Sequence, residues 1–76
     1  MFSMYVRPEI LEHLRETYPP GTKVKLIEMN DQYRDMPPGL TGVVSCVDDT
    51  GTVHVNWSNG RSLGAVLGID VIERID

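Results

Sequence analysis

The sequence predicts a mainly β fold: a five-stranded SH3-like small barrel preceded by one short N-terminal α-helix. The chain has 76 residues, which is enough for one domain. Apolar residues alternate with a period of two in segments after residue 22, and turn-forming dipeptides separate these segments. A sheet of five short strands leaves its edges unpaired if it stays open. We therefore expect the sheet to close into a bent barrel.

The composition is that of an ordinary globular domain. Hydrophobic residues make up 41% of the chain and charged residues 24%, values that exclude a disordered tail. The single cysteine excludes a disulfide framework and a four-cysteine zinc module, and it predicts a cytoplasmic protein. No apolar run approaches the roughly 18 residues of a membrane span. The net charge of −4 counts against nonspecific binding of nucleic acid.

The first element is an amphipathic helix over residues 7–18. Val6, Ile10, Leu14 and Tyr18 recur every four residues and predict one apolar stripe. The Pro-Pro pair at positions 19–20 ends the helix. So short a helix needs a docking partner, which is either its own barrel or a second chain. The predicted organisation is a helical extension over residues 1–18 and a barrel domain over residues 19–76.

The remaining elements are strands. The third of them alternates without interruption, which places Val53, Val55 and Trp57 inward and His54 and Asn56 outward. The dipeptide that follows it, Asn-Gly at positions 59–60, predicts a two-residue hairpin turn. The five predicted strands cover residues 23–29, 41–47, 52–57, 61–67 and 70–75.

Several short motifs resemble one known family. They are Pro37-Pro38-Gly39, Gly42-Val43-Val44, the run from Val47 to Val55, Trp57, Asn59-Gly60, Ser62-Leu63-Gly64 and Gly68-Ile69-Asp70. Over about residues 18–75 the chain resembles small bacterial and phage proteins called domain of unknown function 4314. The helix at residues 7–17 lies outside the motifs that carry the resemblance. The resemblance implies an SH3-type barrel and a phage or mobile-element setting, with no established activity.

The residues that catalysis or metal binding would use do not form a recognisable set. Cys46 lies in the middle of a predicted strand and is expected to be buried and inert. With His13 and His54 as the only histidines, we expect no metal site and no cofactor. The run from Asp48 to Gly51 resembles part of a calcium loop but lacks its spaced ligands, so it is predicted to be a hairpin turn. The sequence predicts no enzyme.

Residues 30–40 form a long loop for so small a domain, and long loops are often functional. The loop carries Tyr33, Arg34 and Met36, which are residue types enriched in interfaces. In an alternative interpretation, Tyr33 and Met36 fill a gap in the core. Trp57 is either a core side chain or a half-exposed indole. The predicted binding residues are Asp31, Tyr33, Arg34, Asp35, Met36, His54, Asn56 and Trp57.

The preferred functional hypothesis is a non-enzymatic module that binds a protein. Given the setting that the resemblance implies, the partner would be a host protein, including a component of an antiphage (CRISPR-type) defence system that this acidic chain inhibits. Nucleic-acid binding is the alternative, through the basic residues Lys23, Lys25, Arg34, Arg61 and Arg74. Binding of a small ligand or nucleotide is a third. The chain is predicted to be a monomer, or a homodimer formed through the helix stripe or an unpaired sheet edge.

Overall fold

The computed structural model describes residues 7–29, 36–66 and 68–76. These residues form α1 (Pro8–Thr17), β1 (Lys23–Glu28), β2 (Thr41–Val47), β3 (Thr52–Trp57), β4 (Ser62–Val66) and β5 (Val71–Arg74). The predicted helix and all five predicted strands are confirmed, with their ends within about one residue of expectation. No helix in the described ranges has the length and apolar character needed to cross a membrane.

Helix α1 packs against the sheet of its own chain through the predicted stripe. Leu14 is buried in the core, and Leu11 and Tyr18 pack against it while partly exposed. The guanidinium of Arg15 donates to the carbonyl of Val47 at 3.3 Å, which ties the helix to the end of β2. Ile10 stays exposed, so only part of the stripe is covered by the described residues.

The five strands form one antiparallel sheet in the order β4-β3-β2-β1-β5. Two hairpins of the same design connect β2 to β3 and β3 to β4. In the second, the N–H of Trp57 donates to the carbonyl of Arg61, and the N–H of Gly60 donates to the carbonyl of Trp57. Gly60 has a φ of 89°, and no residue other than glycine has a positive φ in the described chain.

This geometry corrects the predicted two-residue turn at Asn59-Gly60. The loop has three residues, Ser58 to Gly60, and only the glycine adopts the left-handed conformation. The β2–β3 hairpin repeats the pattern, with Gly51 at a φ of 83° and the N–H of Asp48 donating to the carbonyl of Thr52. A three-residue loop that ends in a left-handed glycine is a common hairpin connection.

The expected closed SH3-like barrel is not confirmed, because the sheet is open between β4 and β5. These strands lie at opposite ends of the strand order, and no ladder joins them within the described residues. A tight turn connects them: the N–H groups of Ile69 and Asp70 both donate to the carbonyl of Val66. The helix side chain Leu14 contributes to the core beside this opening, so the core is covered without closure of the sheet.

The core lies on one face of the bent sheet. Val24 and Leu26 of β1 are fully buried, and the inward residues of β3 are buried as the alternation predicts. Gly42 of β2 faces Trp57, and a Cβ atom there would lie 2.9 Å from Cε3 of the indole. The full cluster of buried apolar side chains is Leu14, Val24, Leu26, Met36, Val44, Val47, Val53, Val55 and Trp57.

Candidate functional site

The outward face of β3 carries His54 and Asn56, as the alternation predicts. Asn56 is exposed and pairs across the sheet with Val43 of β2. The hydroxyl of Ser62 on β4 donates to Oδ1 of Asn56 at 2.9 Å. This hydrogen bond orients the Asn56 amide group, whose Nδ2 donors have no partner within the described part of the chain.

A shallow cleft of about 290 Å³ lies beside Asn56 on this face, and we call it the outer cleft. Val43 is 42% exposed and Ile75 is 45% exposed there, and Lys23 of β1 lies between them in the sheet. The outer cleft is lined by Lys23, Thr41, Gly42, Val43, Asn56, Ser58 and Ile75. Apolar side chains with polar groups around them are the composition expected of a small recognition surface.

The segment after β5 forms one wall of the outer cleft. The N–H of Ile75 donates to the carbonyl of Lys23 at 2.9 Å, and the N–H of Lys23 donates to Oδ2 of Asp76 at 3.2 Å. The Lys23 N–H and the guanidinium of Arg74 lower the pKa of Asp76 below its usual value. These bonds place Ile75 next to β1, which is why a residue near one end of the chain contributes to a surface in the middle of the sheet.

His54 is held by a carboxylate from the neighbouring hairpin turn. Its Nε2 atom lies 2.7 Å from Oδ2 of Asp48. The hydroxyl of Thr50 and the ring of His54 are the main groups that hold the pKa of Asp48 well below its usual value, so this carboxyl is ionised near neutral pH. An ionised carboxylate only accepts hydrogen bonds, so Nε2 of His54 carries a proton in this pair.

The same carboxylate organises the turn. Its Oδ1 atom accepts hydrogen bonds from the N–H of Thr50, the hydroxyl of Thr50 and the N–H of Thr52, at 2.9, 2.6 and 3.0 Å. The prediction of a hairpin turn at Asp48–Gly51 is therefore confirmed, with the aspartate accepting backbone N–H bonds and Gly51 in the left-handed conformation. The Oδ1 atom of Asp48 thus bonds the turn, while its Oδ2 atom bonds His54.

Two of the predicted binding residues lie in the core. Trp57 is 3% exposed, and its indole N–H donates to the carbonyl of Leu63 at 3.1 Å. Met36 is also buried, and its sulfur accepts a long hydrogen bond of 3.8 Å from Nδ2 of Asn59. Both side chains therefore lie in the core, which was one of the two positions that the sequence left open for each. Neither side chain presents a surface to a partner.

Four further predicted binding residues lie outside the described residues. These are Asp31, Tyr33, Arg34 and Asp35. Of the eight predicted residues, the structure therefore brings His54 and Asn56 together on one exposed face, two residues apart on β3.

The prediction of a buried Cys46 is wrong. The register between β2 and β3 shifts between Val44 and Cys46, so that Ser45 and Cys46 both lie opposite His54. This β-bulge interrupts the alternation and leaves the thiol exposed. Cys46 lines a cleft of about 250 Å³ with Arg15, Tyr18, Pro20 and Val47.

No group of three or more histidine, cysteine, aspartate or glutamate side chains converges on a metal position within residues 7–29, 36–66 and 68–76. The described side chains thus form two polar arrangements of interest. One is the Asp48–His54 pair and the other is the polar edge of the outer cleft around Asn56.

Comparison with known proteins assigns the family. The model of the family described as "Domain of unknown function (DUF4314)" matches residues 7–75. The chain belongs to the DUF4314 family. Because the match begins at Arg7, helix α1 is part of the DUF4314 pattern, which corrects the expectation that the helix lies outside it. No curated protein and no solved structure gives a significant match to the chain.

Sequence reasoning missed two residues of the DUF4314 chain that shape the outer cleft, Val43 and Ile75. A signal for Val43 was present, because in a strand of period two the adjacent valines Val43 and Val44 must face opposite sides. Ile75 has no such signal. Its position depends on the pairing of β5 with β1, two strands separated by 42 residues of chain (29–70).

Proposed function

We propose that this DUF4314 protein is a non-enzymatic module that binds another protein through the outer cleft and the adjoining face of β3. The observation that carries the proposal is the exposure of Val43 and Ile75 in the outer cleft, on either side of Lys23 of β1, with the amide group of Asn56 next to Val43. Exposed aliphatic side chains next to charged and hydrogen-bonding groups are a usual feature of protein-binding surfaces.

The polar groups of the site support binding more than catalysis. A nucleophilic mechanism needs a base that is available to a nucleophile. His54 is the histidine on this face; its Nε2–H donates to Asp48, and no hydroxyl or thiol of the described residues is hydrogen-bonded to its Nδ1 atom, since the Ser45 hydroxyl donates to the His54 carbonyl instead. Asp48 in turn accepts three hydrogen bonds from its own turn. These groups stabilise the hairpin, and the chemistry that remains on the face is hydrogen bonding by Asn56.

The proposed biological role is inhibition of a host antiphage component, of the CRISPR type, in the cytoplasm. Membership of DUF4314 supports this role through the phage and mobile-element setting that the family resemblance implies. The net charge of −4 supports it as well, because an acidic surface complements the basic channels of nucleic-acid enzymes. The acidic residues Glu9, Glu12, Glu16, Asp49 and Glu73 are exposed in the described chain.

Two alternatives have less support. For nucleic-acid binding, a clustered basic surface is needed, and the guanidinium of Arg74 donates instead to Asp76 and to the carbonyl of Thr17. For nucleotide binding, a cradle of backbone N–H groups is expected, whereas the outer cleft includes residues of regular strands, such as Val43 of β2 and Asn56 of β3. A gel shift at two salt concentrations and a thermal-shift screen with nucleotides test these alternatives directly.

We also propose that the fold is an SH3-like barrel left open between β4 and β5. The return of β5 to pair with β1 supports this, since it bends the sheet around one core. Nuclear Overhauser contacts measured in solution test it. Cross-strand contacts between β1 and β5 together with none between the backbones of β4 and β5 are expected, whereas a continuous β4–β5 ladder would contradict an open barrel.

Site-specific photocrosslinking tests the binding function. In one variant Asn56 is replaced by p-benzoylphenylalanine, and in a matched control Glu12, which is exposed on α1, receives the same replacement. In lysate of a host that carries a CRISPR system, we expect a discrete protein adduct from the Asn56 position and none from the Glu12 position. The adduct should disappear when Val43→Asp is added, with circular dichroism confirming that the variant folds.

An assay with a purified effector tests the inhibitory role. Increasing amounts of the wild-type chain should reduce target-DNA cleavage by the captured effector at near-stoichiometric ratios, and Val43→Asp should not. Equal adducts from both photocrosslinking positions would contradict recognition through the outer cleft. Capture of an unrelated protein from the Asn56 position would preserve the binding function and refute the antiphage role.

A further inference from the structure

The outer edge of β4 presents backbone groups that β3 does not bond. The N–H of Trp57 donates to the carbonyl of Arg61, which makes these two residues a hydrogen-bonded pair of the β3–β4 ladder. Such pairs alternate with non-bonded pairs along antiparallel strands, so Leu63 is the next bonded residue of β4. Ser62 and Gly64 lie between the bonded positions. Their N–H and C=O groups therefore point away from β3.

Val66, the last residue of β4, has its outward groups satisfied within the chain. Its N–H donates to Oδ2 of Asp70 at 2.9 Å, and its carbonyl accepts from the N–H groups of Ile69 and Asp70. No strand among the described residues pairs with this edge of β4. The open edge therefore consists of two residues, Ser62 and Gly64, which together offer two donors and two acceptors.

Nothing in β4 protects this edge against strand addition. Natural proteins discourage pairing at sheet edges with lysine, proline or a bulge. The β4 sequence is Ser-Leu-Gly-Ala-Val, with no charge and no proline, and its register with β3 runs without a shift. The backbone of β4 is thus regular, with Ser62 exposed and Gly64 partly exposed, as a template for another strand needs to be.

Apolar surface adjoins the open edge. A cleft of about 270 Å³, which we call the seam cleft, lies between β4, β5 and α1, and Leu14, Ala65 and Ile72 are among the residues that line it. Val66 and Val71 line it too and are 37% and 49% exposed. A strand added to β4 would cover part of this surface with the side chains on its inward face.

We propose that the occupant of this edge is the β4 strand of a second copy of the chain, in antiparallel register with Leu63 facing Leu63 of the other copy across a two-fold axis. In this register Ser62 of each copy pairs with Gly64 of the other, which forms four hydrogen bonds and uses all eight open backbone groups. Because Ser62 and Gly64 lie on either side of Leu63, a two-fold axis at Leu63 places Ser62 of one copy opposite Gly64 of the other. The edge is therefore complementary to itself, as the interface of a symmetric dimer requires.

Charge also fits a second copy. Arg61 precedes β4 and Asp70 follows it, so the two residues lie at opposite ends of the strand. The two-fold axis brings the Arg61 end of each copy to the Asp70 end of the other. Opposite charges then flank the strand pair on both sides, which favours this register over a parallel one. The dimer is independent of the proposed binding function.

Sedimentation over a concentration range tests the dimer, with two variants of Ser62. Ser62→Pro removes the open N–H and leaves the bonds to β3, and edge strands tolerate proline. Ser62→Ala keeps the N–H and removes the same hydroxyl, so it is the matched control. We expect wild type and Ser62→Ala to dimerise alike, and the dimer dissociation constant of Ser62→Pro to rise by about tenfold or more, which is ~1.4 kcal/mol.

Disulfide trapping tests the register and does not depend on proline being tolerated. In a Cys46→Ser background, Leu63→Cys should form an intermolecular disulfide, since facing residues of a non-bonded antiparallel pair have the right separation. Arg61→Cys should not, because residue 61 faces residue 65 of the other copy. A wild-type chain that stays monomeric at about 1 mM, equal dimerisation of the two Ser62 variants when both fold, or equal trapping at positions 61 and 63 would each overturn the proposal.

Discussion

In the β2–β3 hairpin, the turn and its histidine are bonded by one side chain close in sequence, whereas at the β4–β5 end of the sheet only the outward backbone groups of Val66 are bonded in this way. Asp48 accepts three hydrogen bonds from Thr50 and Thr52 and a fourth from His54, all within six residues. At the other end, Asp70 accepts the N–H of Val66, and the outward groups of Ser62 and Gly64 remain open. The hairpin is hydrogen-bonded within one chain, and no strand among the described residues pairs with the outer edge of β4.

The difference extends to apolar side chains. The residues of β3 that face inward are buried beneath the hairpin, while Val66, Ile69 and Val71 around the β4–β5 connection are exposed. Burial of apolar surface is the main source of folding free energy. The comparison therefore indicates that stability is concentrated in β1, β2 and β3, and that the β4–β5 end is available for association.

The largest expected loss of stability comes from a comparison of a buried residue of β3 with an exposed residue of β5. Trp57→Ala removes a buried indole and its hydrogen bond to Leu63, and it should lower the free energy of unfolding by about 3–5 kcal/mol. Val71→Ala, at a half-exposed position of β5, should lower it by less than about 0.5 kcal/mol. Urea unfolding followed by circular dichroism measures both. Similar losses would refute the uneven distribution of stability.

A glycine in β2 and a glycine in β4 differ in what an added Cβ atom would contact. A Cβ at Gly42 would lie 2.9 Å from the backbone oxygen of Asn56, so Gly42→Ala forces the ladder to shift, and we expect a loss of about 1–3 kcal/mol. A Cβ at Gly64 would meet the side-chain methyl of Thr52 at 2.4 Å. Removal of that methyl should relieve the clash. Urea unfolding of Gly64→Ala with and without Thr52→Ser should therefore show a smaller loss in the double variant, and equal losses would contradict this cause.

The Asp48 carboxylate should make the hairpin sensitive to acid. Because its pKa is lower in the folded chain than the usual 3.8, its contribution to stability is fully present above that pH and is lost as the pH falls below it. Asp48→Asn should cost about 1 kcal/mol near neutral pH and flatten the stability profile between about pH 2 and 5. Glu12→Gln, at an exposed position of α1, is the control and should leave the profile unchanged. Urea titrations at each pH provide the measurement.

The smallest expected effect concerns the bulge in β2. Cys46→Ser should change the free energy of unfolding by less than about 0.5 kcal/mol, because the thiol is exposed. Ellman's reagent should modify Cys46 in the folded chain at a rate close to that in urea. Protection of the thiol in the folded chain would show that the bulge is absent in solution.

Period-two patterns predicted the strands because strand formation with one buried face is a local property. Each inward residue of β3 was identified from its parity alone, and the helix was identified from its four-residue spacing. The pattern misled at Cys46, where the bulge adds one residue to β2. Nothing local to residues 41–47 marks that insertion, since it depends on how β2 pairs with β3.

The candidate site was predicted in part. His54 and Asn56 were placed on an exposed face, which parity determines, while the pairing of His54 with Asp48 depends on how the hairpin folds. The burial of Met36 was left open for the same reason, because its contact with Asn59 spans 23 residues of chain. Residue type indicated an interface at Met36, and packing placed it in the core.

The amino-acid sequence by itself determined the number and order of elements, the inward residues of β3 and the positions of the two hairpins, because each follows from interactions between residues a few positions apart. Tertiary structure decided whether the sheet closes, which strand edge stays open and which side chains meet in the outer cleft. These features arise from pairing between distant strands, where the free energy depends on register and packing of the whole sheet. The open edge of β4 is one result of that balance.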